Sequence, residues 1–167
     1  MLRIGESFEG EGANSAHVTL LLGTNALLAS AFALAAASPG PGHVPFQVVL
    51  KPNHAVRPAT LFIAKAALRD ARHERLTWGP AQAGVAAGMT RALLEEVLPA
   101  GAQTGWLAIA LVWVDAAADD AELVYSHNKA ATFIAASRAF HDHEATAAEL
   151  SAALAGIGNP HFTPKRP

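Results

Sequence analysis

The chain has 167 residues, 51% of them hydrophobic and 16% charged, with a formal net charge of -2 and no cysteine. That length makes one domain, and the apolar share fills a substantial core with a surplus that usually goes into subunit contacts. Disulfides and thiolate metal sites are excluded, and without a basic block a nucleic-acid partner is disfavoured, since phosphates need clustered Lys and Arg.

Residues 5–23 read as a strand, a glycine-rich reversal at Gly10-Glu11-Gly12, and a second strand. In the second strand Val18, Leu20 and Leu22 alternate at the two-residue period of a pleated sheet, which leaves His17, Thr19 and Leu21 on the opposite face. His17 therefore stands at the mouth of a strand, just after a turn. An imidazole so placed exchanges a proton near neutral pH, because its unperturbed pKa is about 6.5. Spacing alone favours the plainer reading, a surface or half-buried strand residue.

Thr24-Asn25 opens a helix over 26–37, with Leu28, Phe32 and Ala35 on one face, and Ser38-Pro39-Gly40-Pro41-Gly42 ends it. This run is too short for a bilayer, which takes about 20 residues, and Met1 to Glu6 lack the apolar core of a signal peptide. A soluble cytoplasmic protein with no membrane partner is the expectation. A third strand is expected over 46–50, and a fourth over 60–66 with Leu61, Ile63 and Lys65 on one face and Phe62 and Ala64 on the other. Residues 69–75 are polar and read as a loop or an edge strand.

Gly79-Pro80-Ala81-Gln82 then opens a second helix to about Val97, with proline at the first helical position, where its missing N–H costs nothing. Val85, Met89 and Leu93 form its apolar stripe, while Gly84 and Gly88 leave one side without bulk, for a subunit contact or for tight helix–sheet packing. Residues 106–114 are the most hydrophobic strand and should be central. Asp119 as N-cap, with Glu122 three residues on, starts a third helix over 120–139 that buries Val124, Ala131 and Ala135. From about residue 141 the tail is expected to pack loosely, with a short helix near 147–154. One α+β domain follows, a mixed sheet packed with helices across residues 1–167. Gly10-Glu11-Gly12 lacks the rest of a dinucleotide fingerprint. The His141-Asp142-His143-Glu144 run is far more often solvated surface than a ligand set, so no metal is expected. His43, His54, His73, His127 and His161 take the same reading.

An ordered series of landmarks resembles the formaldehyde-activating enzyme family. They are Gly5-Glu6, Gly10-Glu11-Gly12, Ala16-His17, Gly23, Ala31-Phe32, Pro52-Asn53, Pro58, Lys65, Gly79-Pro80-Ala81-Gln82 and Ala118-Asp119-Asp120-Ala121. Tyr125, Asn128, Ala131 and Thr132 fit the family's last helix, and Asn159-Pro160-His161-Phe162 its ending. The resemblance implies condensation of formaldehyde with tetrahydromethanopterin as co-substrate, giving the methylene derivative and water. It also implies a fold like the second domain of ribosomal protein S5, and homopentamers with the pterin in clefts between subunits.

By match to the family motif, His17 is the proton donor, and Lys65 and Gln82 take substrate-contacting positions. Three further substrate positions depart from the family pattern. Thr19 stands where an acidic residue is usual, Ala67 replaces a threonine, and Gln47 replaces an apolar contact; after Gly23, Thr24-Asn25-Ala26 replaces Pro-Arg-Gly. The resemblance thus implies either a lyase working through His17, or a divergent paralogue that kept the cleft and binds a pterin or a formaldehyde adduct in a sensing role.

Overall fold

The alternation of the first hairpin becomes the frame of the protein. The structure, a computed structural model, describes residues 1–40, 43–141, 146–158 and 163–165. β1 (Leu2–Glu9) and β2 (Ala16–Thr24) pair antiparallel from Leu2 opposite Gly23 to Glu9 opposite Ala16. In the turn between them Gly10 has φ +84°, and a Cβ there would strike the His127 ring at 2.5 Å. Only glycine serves at that position. Next come α1 (Asn25–Ala37), β3 (Phe46–Gln47), β4 (Val49–Lys51), β5 (His54–Ala55) and β6 (Ala59–Ala64). α2 (Ala71–Leu76) passes through a π-helical turn (Thr77–Ala81) into α3 (Gln82–Leu94). α4 (Ala102–Gly105), β7 (Trp106–Trp113), α5 (Ala121–His141) and α6 (Ala147–Ala155) complete the order.

The main sheet runs β1-β2-β7-β6-β3, antiparallel except for the parallel β6–β7 pair, and β4 and β5 form a separate ribbon. The α+β expectation of a mixed sheet packed with helices holds, and β7 is central as its hydrophobicity implied. One face presents Val18, Leu20, Leu22, Phe62, Ala108, Ala110 and Val112 to Val85 and Met89 of α3 and to Val124, Ala131 and Ala135 of α5. Each such Val or Leu contributes about 1.5–3 kcal/mol when fully buried. On the other face Leu28, Phe32 and Ala35 of α1 pack with Leu21, Leu61, Ile63, Leu107, Ile109 and Leu111.

Three glycines set how closely α5 is held. A Cβ on Gly5 would lie 1.8 Å from the Ala135 carbonyl oxygen; on Gly84, 2.5 Å from that of Tyr125; on Gly88, 2.5 Å from that of Lys129. Gly84 and Gly88 therefore seat α3 against α5 within the chain, so the side without bulk does admit a close approach, from a helix and not from the sheet.

Four local expectations are corrected. Residues 69–75 enter a helix, not a loop or edge strand, because the Asp70 carboxylate caps it, accepting from the N–H groups of Arg72 and His73. Pro80 does not open a helix. It sits inside the π-helical turn, whose wider ring tolerates the missing donor, and Gln82 N–H reaches back to the Thr77 carbonyl. The strand expected over 46–50 is broken at buried Val48, whose N–H turns to the Thr60 carbonyl while its own carbonyl accepts from Val56. Finally, Asp120 caps α5 through Glu122 and Leu123 N–H, whereas Asp119 accepts from the Asn14 amide.

Candidate functional site

Because β2 alternates, its polar residues share the face that α1 covers only in part. His17 is opposite Phe8 on β1 and Trp113 on β7, and Thr19 is opposite Glu6 and Leu111. Lys65 lies one residue beyond β6, and its N–H continues the ladder to the Val112 carbonyl. β6 and β2 flank β7 on opposite sides, so the lysine stem crosses the width of a strand to reach the histidine. Its ammonium donates to Thr19 Oγ1 at 2.8 Å and stands 3.3 Å from His17 Nδ1. On the other side of the ring, Nε2 is 2.7 Å from Glu6 Oε1. The imidazole is about one-third exposed, at 35%, so a solute can reach it.

Electrostatically this is a compact alternation of donor and acceptor. Burial holds the Lys65 ammonium below the ordinary lysine range, while the Glu6 charge acts the other way. Hydrogen bonds of this charge-assisted kind are roughly twice as strong as neutral ones. Two sheet neighbours and a lysine therefore hold the ring in one orientation.

The remaining sequence-named residues divide. Gln47 and Gln82 come together in a second feature, a groove of about 330 Å³ on the outer edge of β3, which Val44, Phe46, Val49 and Trp78 also line. Gln82 Oε1 accepts from Val49 N–H at 2.9 Å, which fixes the amide and leaves its NH2 as a donor. Phe46, which lines the groove, stacks on buried Phe62 with ring centroids 4.8 Å apart. Ala67 is exposed beyond the end of β6 and offers no polar side-chain atom. The structure thus joins His17, Thr19 and Lys65 in one cluster, and Gln47 and Gln82 in a groove.

Glu6 and Trp78 are the residues that sequence reasoning did not assign to the site. The signal for Glu6 was present, since hairpin pairing with Thr19 turns both side chains to the same face. Trp78 gave no comparable signal, because its position depends on the unforeseen π-helical turn. His43, His54, His73 and His127 have structural partners. His73 is buried, donating from Nε2 to the Val114 carbonyl and accepting at Nδ1 from Arg69 N–H. His43 and His127 donate to the carbonyls of Ala64 and Asn14, and His54 lies within reach of that of Pro52. Of the His141-Asp142-His143-Glu144 run, everything after His141 lies outside the described residues, as does His161. Among the described residues no group of three or more His, Asp or Glu converges as a metal site, and no helix is long and apolar enough to cross a membrane.

Residues 4–159 match the family described as formaldehyde-activating enzyme. The bifunctional enzyme Fae/Hps of Archaeoglobus fulgidus is 36% identical over 141 residues, covering 84% of this chain and 36% of that protein. That of Methanoregula boonei is 36% identical over 161 residues, covering 94% of this chain and 41% of its own length. The 5,6,7,8-tetrahydromethanopterin hydro-lyase of Methanosarcina barkeri is 34% identical over 137 residues, covering 81% of this chain and 77% of that protein. The chain therefore spans little more than a third of the bifunctional relatives but most of the hydro-lyase. The matched stretch runs from within β1 past the lysine after β6 and the helix that carries Gln82, and with this extent of likeness the chain belongs to the formaldehyde-activating enzyme family.

Proposed function

We propose that this protein condenses formaldehyde with tetrahydromethanopterin, releasing water, with His17 as the general acid. The observation that carries the reading is a reachable imidazole gripped between Glu6 and Lys65, in a chain of this family. The chemistry needs little more. An amine of the pterin adds to formaldehyde unaided and gives a carbinolamine, from which hydroxide is a poor leaving group. Protonation by His17 lets water leave instead, and the second pterin nitrogen closes on the cationic imine. General acid catalysis of this kind contributes typically about 10²–10⁴-fold. Holding the two nitrogens in orientation supplies the rest.

The groove beside β3 supports the same reading. Trp78 and Phe46 present flat apolar surface to a fused ring, and the amides of Gln47 and Gln82 suit the donor and acceptor edge of a pterin. Association with further copies of the chain, in the cytoplasm and as a homopentamer, belongs to the proposal too. It is supported by apolar side chains left outside: Leu27 and Leu34 on α1, and Leu2 and Ile4 on edge strand β1.

The test follows formation of methylene-tetrahydromethanopterin against the spontaneous rate, with wild type, His17→Ala and Thr19→Asp side by side. The expected result is acceleration by wild type that His17→Ala abolishes. Pterin binding without acceleration in wild type would overturn the lyase reading and leave the binding paralogue, and recovery in Thr19→Asp would locate the divergence at that position.

A further inference from the structure

Glu6 is the charged neighbour of the imidazole to which the motif assigned no role. It stands on β1 opposite Thr19, and its Oε1 lies 2.7 Å from His17 Nε2. Lys65 Nζ faces the other ring nitrogen, Nδ1, at 3.3 Å. An ammonium has donors and no acceptor, and a carboxylate accepts only. The nitrogen facing Lys65 therefore carries the lone pair, and the one facing Glu6 carries the hydrogen. Both contacts select the same neutral tautomer.

We infer that Glu6 is a positioning residue for His17, which together with Lys65 fixes the Nε2–H tautomer and makes protonation of Nδ1 the step that arms the ring as an acid. Among the described residues, the side chains facing the ring from its neighbouring elements are Glu6 and Phe8 of β1, Thr19 of β2, Trp113 of β7 and Lys65 after β6. Of these only Glu6 and Lys65 titrate, and they act in opposite senses: the carboxylate favours the imidazolium and the ammonium disfavours it. Burial holds the Lys65 ammonium below the ordinary lysine range, with the Glu6 charge acting the other way. A proton moving from Nζ to Nδ1 breaks one N–H bond and forms another. It carries the positive charge from the lysine to the ring, where Glu6 is its counter-ion. This deepens the reading of His17 as the acid, on which it rests.

The experiment uses the full chain with 15N-labelled histidine and neither pterin nor formaldehyde, so its readout does not depend on turnover. His17→Ala assigns the His17 signals. Wild type above the titration midpoint should show hydrogen on Nε2 and a lone pair on Nδ1. Glu6→Gln, which keeps an acceptor and drops the charge, should move that midpoint to lower pH by about one unit, and Lys65→Met should move it higher. In active protein the pH above which kcat falls should move down in Glu6→Gln by the same amount, because the acid form is lost as pH rises through the midpoint. An Nδ1–H tautomer in wild type, or a midpoint unmoved in Glu6→Gln, overturns the inference. Absence of turnover in wild type sinks the proposed reaction instead, and the tautomer result is read independently of it.

Discussion

The two faces of the central sheet obey different rules. The face under α3 and α5 is closed and built from small and branched apolar residues, with Ala16, Val18, Leu20 and Ala110 fully buried. Backbone approaches backbone there, at Gly5, Gly84 and Gly88, so the fit tolerates no added atom. The opposite face is covered by α1 over Leu61 and Ile109 but not over the end that carries His17, Thr19 and Lys65. Polar, titratable side chains persist there because they meet each other and solvent, not an apolar wall. One strand serves both purposes: β2 gives Ala16, Val18, Leu20 and Leu22 to the core and His17 and Thr19 to the site.

Four substitutions, one of them a control, would break or sharpen that contrast. Gly5→Ala on the closed face should cost about 3 kcal/mol or more, because the new methyl meets the Ala135 carbonyl and α5 must lift from the sheet. Gly105→Ala, where nothing lies within 4 Å, is the control and should stay within about 0.5 kcal/mol of wild type in urea unfolding. Equal midpoints for the two variants would mean that the helix does not sit as closely as drawn.

A smaller effect is expected at Thr132, buried on α5 with an Oγ1 that has no hydrogen-bond partner among the described residues. Thr132→Val keeps the shape and removes the hydroxyl, so stability should be unchanged or rise by up to about 1 kcal/mol. A loss of that size would reveal a partner for the hydroxyl. The smallest change in stability belongs to the open face. His17→Ala should stay within about 0.5 kcal/mol of wild type in urea unfolding, while turnover falls. A large loss of stability would show that the imidazole holds the sheet together.

Much of this was legible in the chain because the signals were local. Period-two alternation in Ala16–Thr24 named the buried face and the site face, the hydrophobicity of Trp106–Trp113 named the central strand, and Leu28, Phe32 and Ala35 named the inner side of α1. Residues 69–75 were misread although Asp70 was a usable cap signal, because their polarity outweighed a single capping residue. The break at Val48 had no local mark, since it arises from bonds to Thr60 and Val56.

By itself, then, the sequence determined which side chains lie on which side of each strand, since pleating ties that to position along the chain. Tertiary structure alone decided which of them meet. Glu6 reaches His17 through hairpin register, Lys65 crosses β7 from the end of the strand on its far side, and Gln82 is turned toward Val49 by a helix with a π-helical turn. Those contacts depend on pairing between segments tens of residues apart, and periodicity within one segment carries no information about its partner.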